Sequence, residues 1–357
     1  KAQKASLGQL TAPVTLTNSG YYHVKPKWSK DSRYIYYLQR NADDYPQIRR
    51  IDAVQGRSDK LLEGMVFDES LSVSPDGKTL LYAKADIYKN FYIYKDLYLI
   101  NLQTRNKIQL TSGLRATDPC FSPDGQQIAF IKNEKGKRAL WMMDLKGRAS
   151  RLSTAETDVQ YFAPAFSPDG KRIAVAKHNK DGRQKICLID PALGSEEVLY
   201  QGDPASTEAN PAFSPGGDYI FFDSDRTGII GLYAYHLPAK RLFQVTNVIG
   251  GAMMPDLSPD GKKLAYVSYS SRGYDIAMMD VNPAEWKEVR GPVTVTMPVA
   301  TPEARISAEQ PIIKMHDYDP LPSLIPRFWI PYGYANENGS QTSIYIGSFD
   351  PLEQHMY

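Results

Sequence analysis

Short apolar runs, about four residues long and rich in β-branched side chains, recur along the chain between polar turns. One of them is Ile173-Ala174-Val175-Ala176, which follows Ala165-Phe166-Ser167 across the turn Pro168-Asp169-Gly170. Pro sets φ at the first corner of such a turn, Asp bonds its own backbone ahead, and Gly accepts a positive φ. The pattern predicts strand, tight turn, strand, and no helical pattern separates one such hairpin from the next.

The hairpin occurs six times, beginning at Trp28, Val73, Phe121, Phe166, Phe213 and Leu257, so successive copies lie 45, 48, 45, 47 and 44 residues apart. Pro stands two residues upstream in five copies (Pro26, Pro119, Pro164, Pro211, Pro255), and Leu71 takes that place in the other. Self-similarity at this period marks a propeller or solenoid. After each hairpin the pattern predicts a third strand: Gln47–Asp52, Leu97–Asn101, Ala139–Asp144, Gln184–Asp190, Gly231–His236 and Asp275–Asp280. A more polar fourth strand follows at Lys60–Leu62, Lys107–Leu110, Ser150–Leu152, Glu197–Tyr200 and Leu242–Thr246. Four antiparallel strands per repeat make a propeller blade, and stacking blades in a ring buries the faces that a single blade leaves open.

The expected fold is therefore all-β: a six-bladed β-propeller of four-stranded blades with a Pro-rich C-terminal extension. Six hairpins are followed by only five fourth strands. Val14–Thr17 resembles the segments that precede other hairpins and is expected to pair with Asp275–Asp280, closing the ring. Glu288–Arg290 is the rival for that slot. The expected division is propeller 1–284, Pro-rich linker 285–326 and a C-terminal segment 327–357.

Composition adds limits. The chain has 357 residues and a net charge of +2, which gives no footprint for nucleic acid or an anionic membrane as a whole. No apolar run is long enough for a membrane-spanning helix. The first residues, Lys-Ala-Gln-Lys-Ala-Ser, carry neither Met nor a signal core, so the sequence reads as processed or as a piece of a longer polypeptide. Cys120 and Cys187 fall at different places in consecutive repeats and read as two buried thiols rather than a disulfide.

Catalytic and metal motifs are missing from the sequence. There is no Gly-x-Ser-x-Gly nucleophile elbow and no His-Glu-x-x-His pair, and the five histidines are scattered. Asp223–Gly228 resembles the start of a calcium loop, but Ala234 stands at the twelfth position, where a bidentate Glu is needed. A hairpin loop is the plainer reading. The repeated Asp76, Asp124, Asp169 and Asp260 are explained by their turn position. No catalytic residue, cofactor or metal is expected.

One feature exceeds what a connecting segment needs. The segments leading into the blades carry Tyr21, Tyr22 and His23; Phe67, Asp68 and Glu69; Arg115 and Asp118; Tyr161 and Phe162; Glu208 and Asn210; Met253 and Met254. Antiparallel strands reverse at each turn, so these segments gather on one face of the ring and the Ser-Pro-Asp-Gly turns on the other. Aromatic and Met side chains beside polar ones suit a protein-binding surface, and filling the channel is the competing use for them.

The repeat resembles the TolB-like, or WD-repeat-like, propeller family. The likeness rests on Phe-Ser-Pro-Asp-Gly, the following Ile-Ala-Phe or Leu-Ala-Tyr strand, Ser-Asp-Arg-Thr-Gly at 224–228 and the strands ending Met142–Asp144 and Met278–Asp280. The family implies a periplasmic binding propeller, but the repeat also serves the tricorn protease and propellers attached to prolyl-oligopeptidase-type peptidases. Leu324-Ile-Pro-Arg-Phe-Trp-Ile-Pro-Tyr332 resembles the junction in bacterial proteins where such a propeller precedes a surface-antigen-type outer-membrane barrel. The resemblance thus implies a non-catalytic periplasmic propeller in an outer-membrane-associated protein of a Gram-negative bacterium. Its expected partner is a protein, a polymer or another domain of the same polypeptide, in envelope assembly or export, with no nucleic acid. The alternative is an accessory propeller that gates a peptidase outside this chain. The purified chain is expected not to hydrolyse peptides or esters. Turnover that a point mutation within the chain abolishes is the opposite result.

Overall fold

The computed structural model describes residues 10–289, apart from 19–21, 42–43, 65, 67–69, 90–91, 154–157 and 201–205, and also residues 328–336 and 339–347. It divides into two compact units, Lys1–Val295 and Thr296–Tyr357. In the first unit a short strand β1 (Val14–Thr15) precedes the repeats. The first repeat holds β2 (Tyr22–Trp28), β3 (Tyr34–Arg40), β4 (Gln47–Asp52) and β5 (Ser58–Glu63), paired in that order. The second holds β6 (Ser72–Val73), β7 (Thr79–Tyr88), β8 (Tyr92–Asn101) and β9 (Lys107–Gln109), and the third β10 (Ala116–Phe121), β11 (Gln127–Glu134), β12 (Lys137–Asp144) and β13 (Ala149–Arg151). The fourth holds β14 (Gln160–Phe166), β15 (Ile173–His178), β16 (Gln184–Ile189) and β17 (Glu196–Val198). The fifth holds β18 (Glu208–Phe213), β19 (Tyr219–Ser224), β20 (Gly231–His236) and β21 (Arg241–Gln244), and the sixth β22 (Gly251–Leu257), β23 (Lys263–Ser270) and β24 (Gly273–Asp280).

The first strands of the repeats touch in sequence, β2 to β6, β10, β14, β18 and β22, and β22 returns to β2. This is a β-propeller with its first strands around the axis. The second strand of each repeat is sandwiched between neighbours, so both of its faces are apolar. Ile128–Ile131, Ile173–Ala176 and Leu264–Val267 are all buried. The two cysteines are free thiols, Cys187 buried and Cys120 half-buried.

Between the sixth repeat and the first, β1 lies antiparallel on β24, with Val14 opposite Met278 and Thr15 opposite Ala277. Leu16 N–H then donates to Ile276 O at 2.8 Å, as Leu110 does to Leu97 O (2.8 Å) and Val245 to Leu232 O (2.8 Å). The hydroxyl that follows repeats as well. Thr17 Oγ1 accepts from Ile276 N–H at 2.9 Å, as Thr111 does from Leu97, Thr246 from Leu232 and Ser153 from Leu140. The rival strand lies elsewhere. β25 (Lys287–Glu288) pairs with β21, Phe243 opposite Glu288, and Arg241 makes an ion pair with Glu288.

The region expected to begin a linker at 285 stays on the propeller for several residues. Pro283–Glu285 form a 3-10 turn capped by Asn282, Trp286 meets Tyr219 and Phe221 edge-on at 5.4 Å each, and Val289 N–H donates to Leu242 O. Residues 290–326 lie outside the described residues.

The turns carry a fixed network. In each Ser-x-Asp turn the Ser hydroxyl donates to the Asp carboxylate, at 2.6 Å for Ser74–Asp76 and Ser167–Asp169, and accepts from the backbone five residues on. The hydroxyl and the N–H two residues after the Asp hold the carboxyls of Asp76, Asp124, Asp169 and Asp260 below the usual range. One oxygen of each carboxylate is thus held inside its own turn. Each turn also leans on its neighbour: a Cβ at Gly125 would lie 3.4 Å from Pro75, and one at Gly170 3.7 Å from Pro123.

Thr17→Val removes the acceptor of Ile276 N–H and a donor to Asp275 in one step. It is expected to lower unfolding stability by about 1–3 kcal/mol. Urea titration of both proteins checks this, and an unchanged midpoint contradicts the latch.

Candidate functional site: the mouth of the channel

The prolines upstream of the hairpins mark a bulge. Pairing registers shift between Val24 and Lys27, Thr117 and Cys120, Phe162 and Ala165, Ala209 and Ala212, and Met253 and Asp256. In each bulge the residue before Pro is left-handed: Lys25 (φ 57), Asp118 (47), Ala163 (47), Asn210 (49) and Met254 (56). Pro loses no ladder bond at an unpaired position, because it has no N–H. The extra residue bends the strand and re-aims a side chain. Non-Gly residues held at positive φ cost of order 1–3 kcal/mol each and tend to cluster where function needs them.

Four of the five left-handed residues, Lys25, Ala163, Asn210 and Met254, line one cavity of about 250 Å³ together with Ser70 of the second repeat. Deeper in the same cavity stand Lys27, Cys120 and Asp256. A second cavity of about 540 Å³ shares these three and continues to Phe121, Phe166, Phe213 and the turn prolines. The channel therefore runs along the axis from the mouth on the lead-in side to a collar of Phe, Pro and Ser residues on the turn side.

The mouth is wired by side chains. Lys25 Nζ donates to Asn210 Oδ1 at 3.1 Å, and Asn210 Nδ2 donates to Asp223 Oδ2 at 2.8 Å. Met254 N–H also donates to Asp223 Oδ2, at 2.8 Å. Burial pushes the Asp223 carboxyl above its usual pKa, against those two donors and Lys25. Lys27 Nζ meets Asp256 Oδ1 at 2.6 Å, and Trp28 N–H donates to Asp256 Oδ2 at 2.8 Å. Burial opposes the Lys27 charge, but Asp256 outweighs it and the ammonium pKa is raised. Burial also lifts the Cys120 thiol, leaving it protonated and a weak nucleophile. The mouth offers fixed donors, one ammonium facing an amide, and a Met edge. These groups are donors and acceptors bonded to one another, with the Cys120 thiol beside them. Among the described residues no group of three His, Cys, Asp or Glu could hold a metal.

The residues expected at this face divide. Asn210 and Met254 line the mouth, and Met253 packs on the core of the first and sixth repeats. Tyr22 stacks edge-on to Tyr274 at 4.9 Å beneath Arg40. Four others are buried and engaged inside the ring. His23 Nδ1 lies 3.2 Å from Thr17 Oγ1 and 3.4 Å from Asp275, and burial, against Asp275, lowers its pKa. Asp118 accepts from Ser70 and pairs with Arg138 at 2.7 Å. Tyr161, 1% exposed, donates to Glu196 at 2.8 Å. Glu208 is packed with Arg226 (3.0 Å), Lys185 (3.5 Å) and Tyr200. Phe162 lies half-buried under the Arg138 guanidinium, and Arg115 is exposed against Tyr94. Tyr21, Phe67, Asp68 and Glu69 lie outside the described residues. Sequence reading missed Lys25, Lys27, Ser70, Asp223 and Asp256. The residue directly before each upstream Pro was the signal that leads to most of the mouth.

Residues 114–307, over half of the chain, match the family model described as the TolB β-propeller domain. The chain belongs to that family. An uncharacterized protein of Agrobacterium fabrum is 29% identical over 212 residues, 58% of this chain and 68% of that protein. The Tol-Pal system protein TolB of Francisella tularensis is 26% identical over 70% of this chain and 46% of its own length. Dipeptidyl-peptidase 5 of Porphyromonas gingivalis is 27% identical over 57% of this chain and 38% of its own length. The chain thus spans less than half of the latter two relatives. The crystal structure of TolB from Acinetobacter baumannii superposes with a TM-score of 0.56 at 21% identity, covering 66% of this chain and 56% of that one. That likeness speaks to the fold.

The raised pKa of Asp223 means that the native state disfavours its charged form. Its contribution is favourable below the unfolded pKa and is lost as pH rises through the native one. Asp223→Asn is therefore expected to gain stability relative to wild type as pH rises from 3 to 8. Melting temperatures across that range check this, and a difference that stays flat or shrinks contradicts it.

Proposed function

We propose that the propeller is a non-catalytic binding module of the periplasm. It takes a protein segment at the channel mouth on the lead-in face and serves a larger outer-membrane-associated protein in envelope assembly or export. The observation that carries this reading is the ring of left-handed residues before Pro, which turns Lys25, Asn210 and Met254 into one polar-and-apolar mouth. Strain spent repeatedly at one end of the axis fits a recognition site better than a scaffold alone. The relative named for the Tol-Pal system supports the periplasmic setting.

The second compact unit supports the outer-membrane setting. Strands β26 (Phe328–Asn336) and β27 (Gly339–Gly347) form a hairpin with Trp329 opposite Ile346 and Pro331 opposite Ile344. Directly opposed residues share a face, and Trp329, Ile344 and Ile346 are exposed there. Strands of nine residues match the length that a membrane-barrel strand requires. The dipeptidyl-peptidase relative favours the second reading, an accessory propeller for a peptidase domain elsewhere.

Site-directed photocrosslinking in cells separates the faces. A photoreactive residue at Asn210 is expected to trap a discrete partner or another domain of the same polypeptide, and one at Lys171 in a turn is expected to trap none. Crosslinks at Lys171 and not at Asn210 overturn the assignment.

A further inference from the structure

The first repeat breaks the common pattern on one side of its blade. On β3 and β4, Tyr36 lies directly opposite Arg50. The same paired position is apolar in every other repeat: Leu81 and Leu99, Ala129 and Met142, Ala174 and Leu188, Phe221 and Ala234, Ala265 and Met278. In the turn before β3, Lys30 stands where the other five repeats have Pro75, Pro123, Pro168, Pro215 and Pro259.

The second repeat departs at a facing position. Arg105 N–H donates to Asn101 O at 2.9 Å, closing the turn that Gly56 closes in the first repeat (2.9 Å) and Gly194 in the fourth (2.8 Å). Those glycines have φ of 68° and 67°, and Arg105 has 64°. Gly takes this conformation without strain, whereas Arg held there costs stability, and such strain is kept where function needs it.

These departures meet at one groove on the turn side. Lys30, Tyr36 and Arg50 line a cavity of about 590 Å³ between the first and second repeats, with Lys78, Asn101 and Gln103 opposite them. Arg50 holds the Asp59 carboxylate through Nε (3.2 Å) and Nη2 (2.9 Å), and Arg105 Nη2 lies 3.7 Å from the same carboxylate. Two guanidiniums thus share one acid. Arg105 Nη1 is buried without a hydrogen-bond partner among the described residues. The Tyr36 hydroxyl, on a side chain only 4% exposed, bonds to no described residue either. Asp31 and Asp76 also line the groove, but each accepts inside its own turn. Four cations, Lys30, Arg50, Lys78 and Arg105, therefore stand against the three carboxylates of Asp31, Asp59 and Asp76.

We infer that this groove binds a phosphate group carried by a small polar molecule. Arg105 Nη1, the remaining Nη of Arg50 and the Tyr36 hydroxyl are three donors that lack an acceptor. The three terminal oxygens of a phosphate ester supply three acceptors and a higher charge, whereas a carboxylate supplies two. The volume exceeds that of phosphate alone and falls within the range of small-molecule sites. The amides of Asn101 and Gln103 suit a polar body on the ester. The site lies apart from the channel mouth and does not depend on what the mouth binds.

Isothermal titration calorimetry of the full chain with glycerol 3-phosphate, inorganic phosphate and acetate, in a phosphate-free buffer, tests this. Wild type is expected to bind glycerol 3-phosphate more tightly than inorganic phosphate, and acetate about tenfold more weakly than the ester or worse. Arg105→Gly places in this turn the residue of the first and fourth repeats. It is expected to fold as well as wild type and to bind glycerol 3-phosphate about tenfold more weakly or worse. Tyr36→Phe, the second variant, removes only the hydroxyl and is expected to weaken binding roughly threefold or more. Lys240→Gly makes the same change of charge at a left-handed residue of the fifth repeat and is expected to leave binding unchanged. No binding of either phosphate compound, acetate bound as tightly as the ester, undiminished binding by the two groove variants, or an equal loss in Lys240→Gly overturns the site. Inorganic phosphate bound more tightly than glycerol 3-phosphate overturns the ester as its ligand.

Discussion

A ring of blades is stable only if its last unit meets its first, because an open array leaves two blade faces in water. Here β2 meets β22 and β24 directly, and β1 with the Thr17 hydroxyl adds to that junction. Thr17 Oγ1 donates to Asp275 at 2.9 Å and accepts from Ile276 N–H, and His23, also buried, sits against both. Some 250 residues of sequence separate the partners, so the contact closes a long loop. The bonds are those that Thr111 and Thr246 make inside their own repeats. The N-terminal segment thus pairs with β24 as the segments ending in Thr111, Ser153 and Thr246 pair within the second, third and fifth repeats.

From closure follows the rest of the axis. First strands held in a ring must converge, and five of the six take a bulge at Pro to do so. Lys27 and Asp256 then meet across the junction of the first and sixth repeats at 2.6 Å, and the Trp28 indole donates to Asp256 O. The polar mouth and the closure contact are thus built partly by the same strand, β2. A ligand that engages Lys25 or Lys27 bears directly on the seam of the ring.

Much of the fold was legible because its signals are local. Pro-Asp-Gly fixes a turn, an apolar run fixes a strand buried on both faces, and the Leu-Thr echo at Leu16–Thr17 marks the closing strand. The site was less legible. Tyr161 and Glu208 looked like surface anchors in the lead-in segments, but period-two alternation places them inward, against Glu196 and Arg226. Lys25 and Asp256 escaped notice because a bulge breaks that alternation. The length of the β7–β8 ladder was missed for a related reason: its Tyr and Ile residues extend a strand where other repeats place a charged loop.

The two faces of the ring answer to different constraints. On the turn side the side chains themselves satisfy the backbone: Ser bonds Asp, Gly takes positive φ, and each turn leans on its neighbour's Pro or, at Gly77, on Lys30. Few substitutions leave that network whole. On the lead-in side the repeated feature is the backbone bulge, and the side chains make contacts that differ from repeat to repeat, Asn210 with Lys25 and Asp223, Asp118 with Ser70 and Arg138. Lys25, Asp118, Ala163, Asn210 and Met254 occupy equivalent positions at nearly the same φ, yet share no chemistry. Since Pro and the bulge hold the geometry, the residue before Pro is free to be cationic, acidic, small, amide or thioether. A repeat built this way keeps its turns uniform while its channel mouth varies position by position.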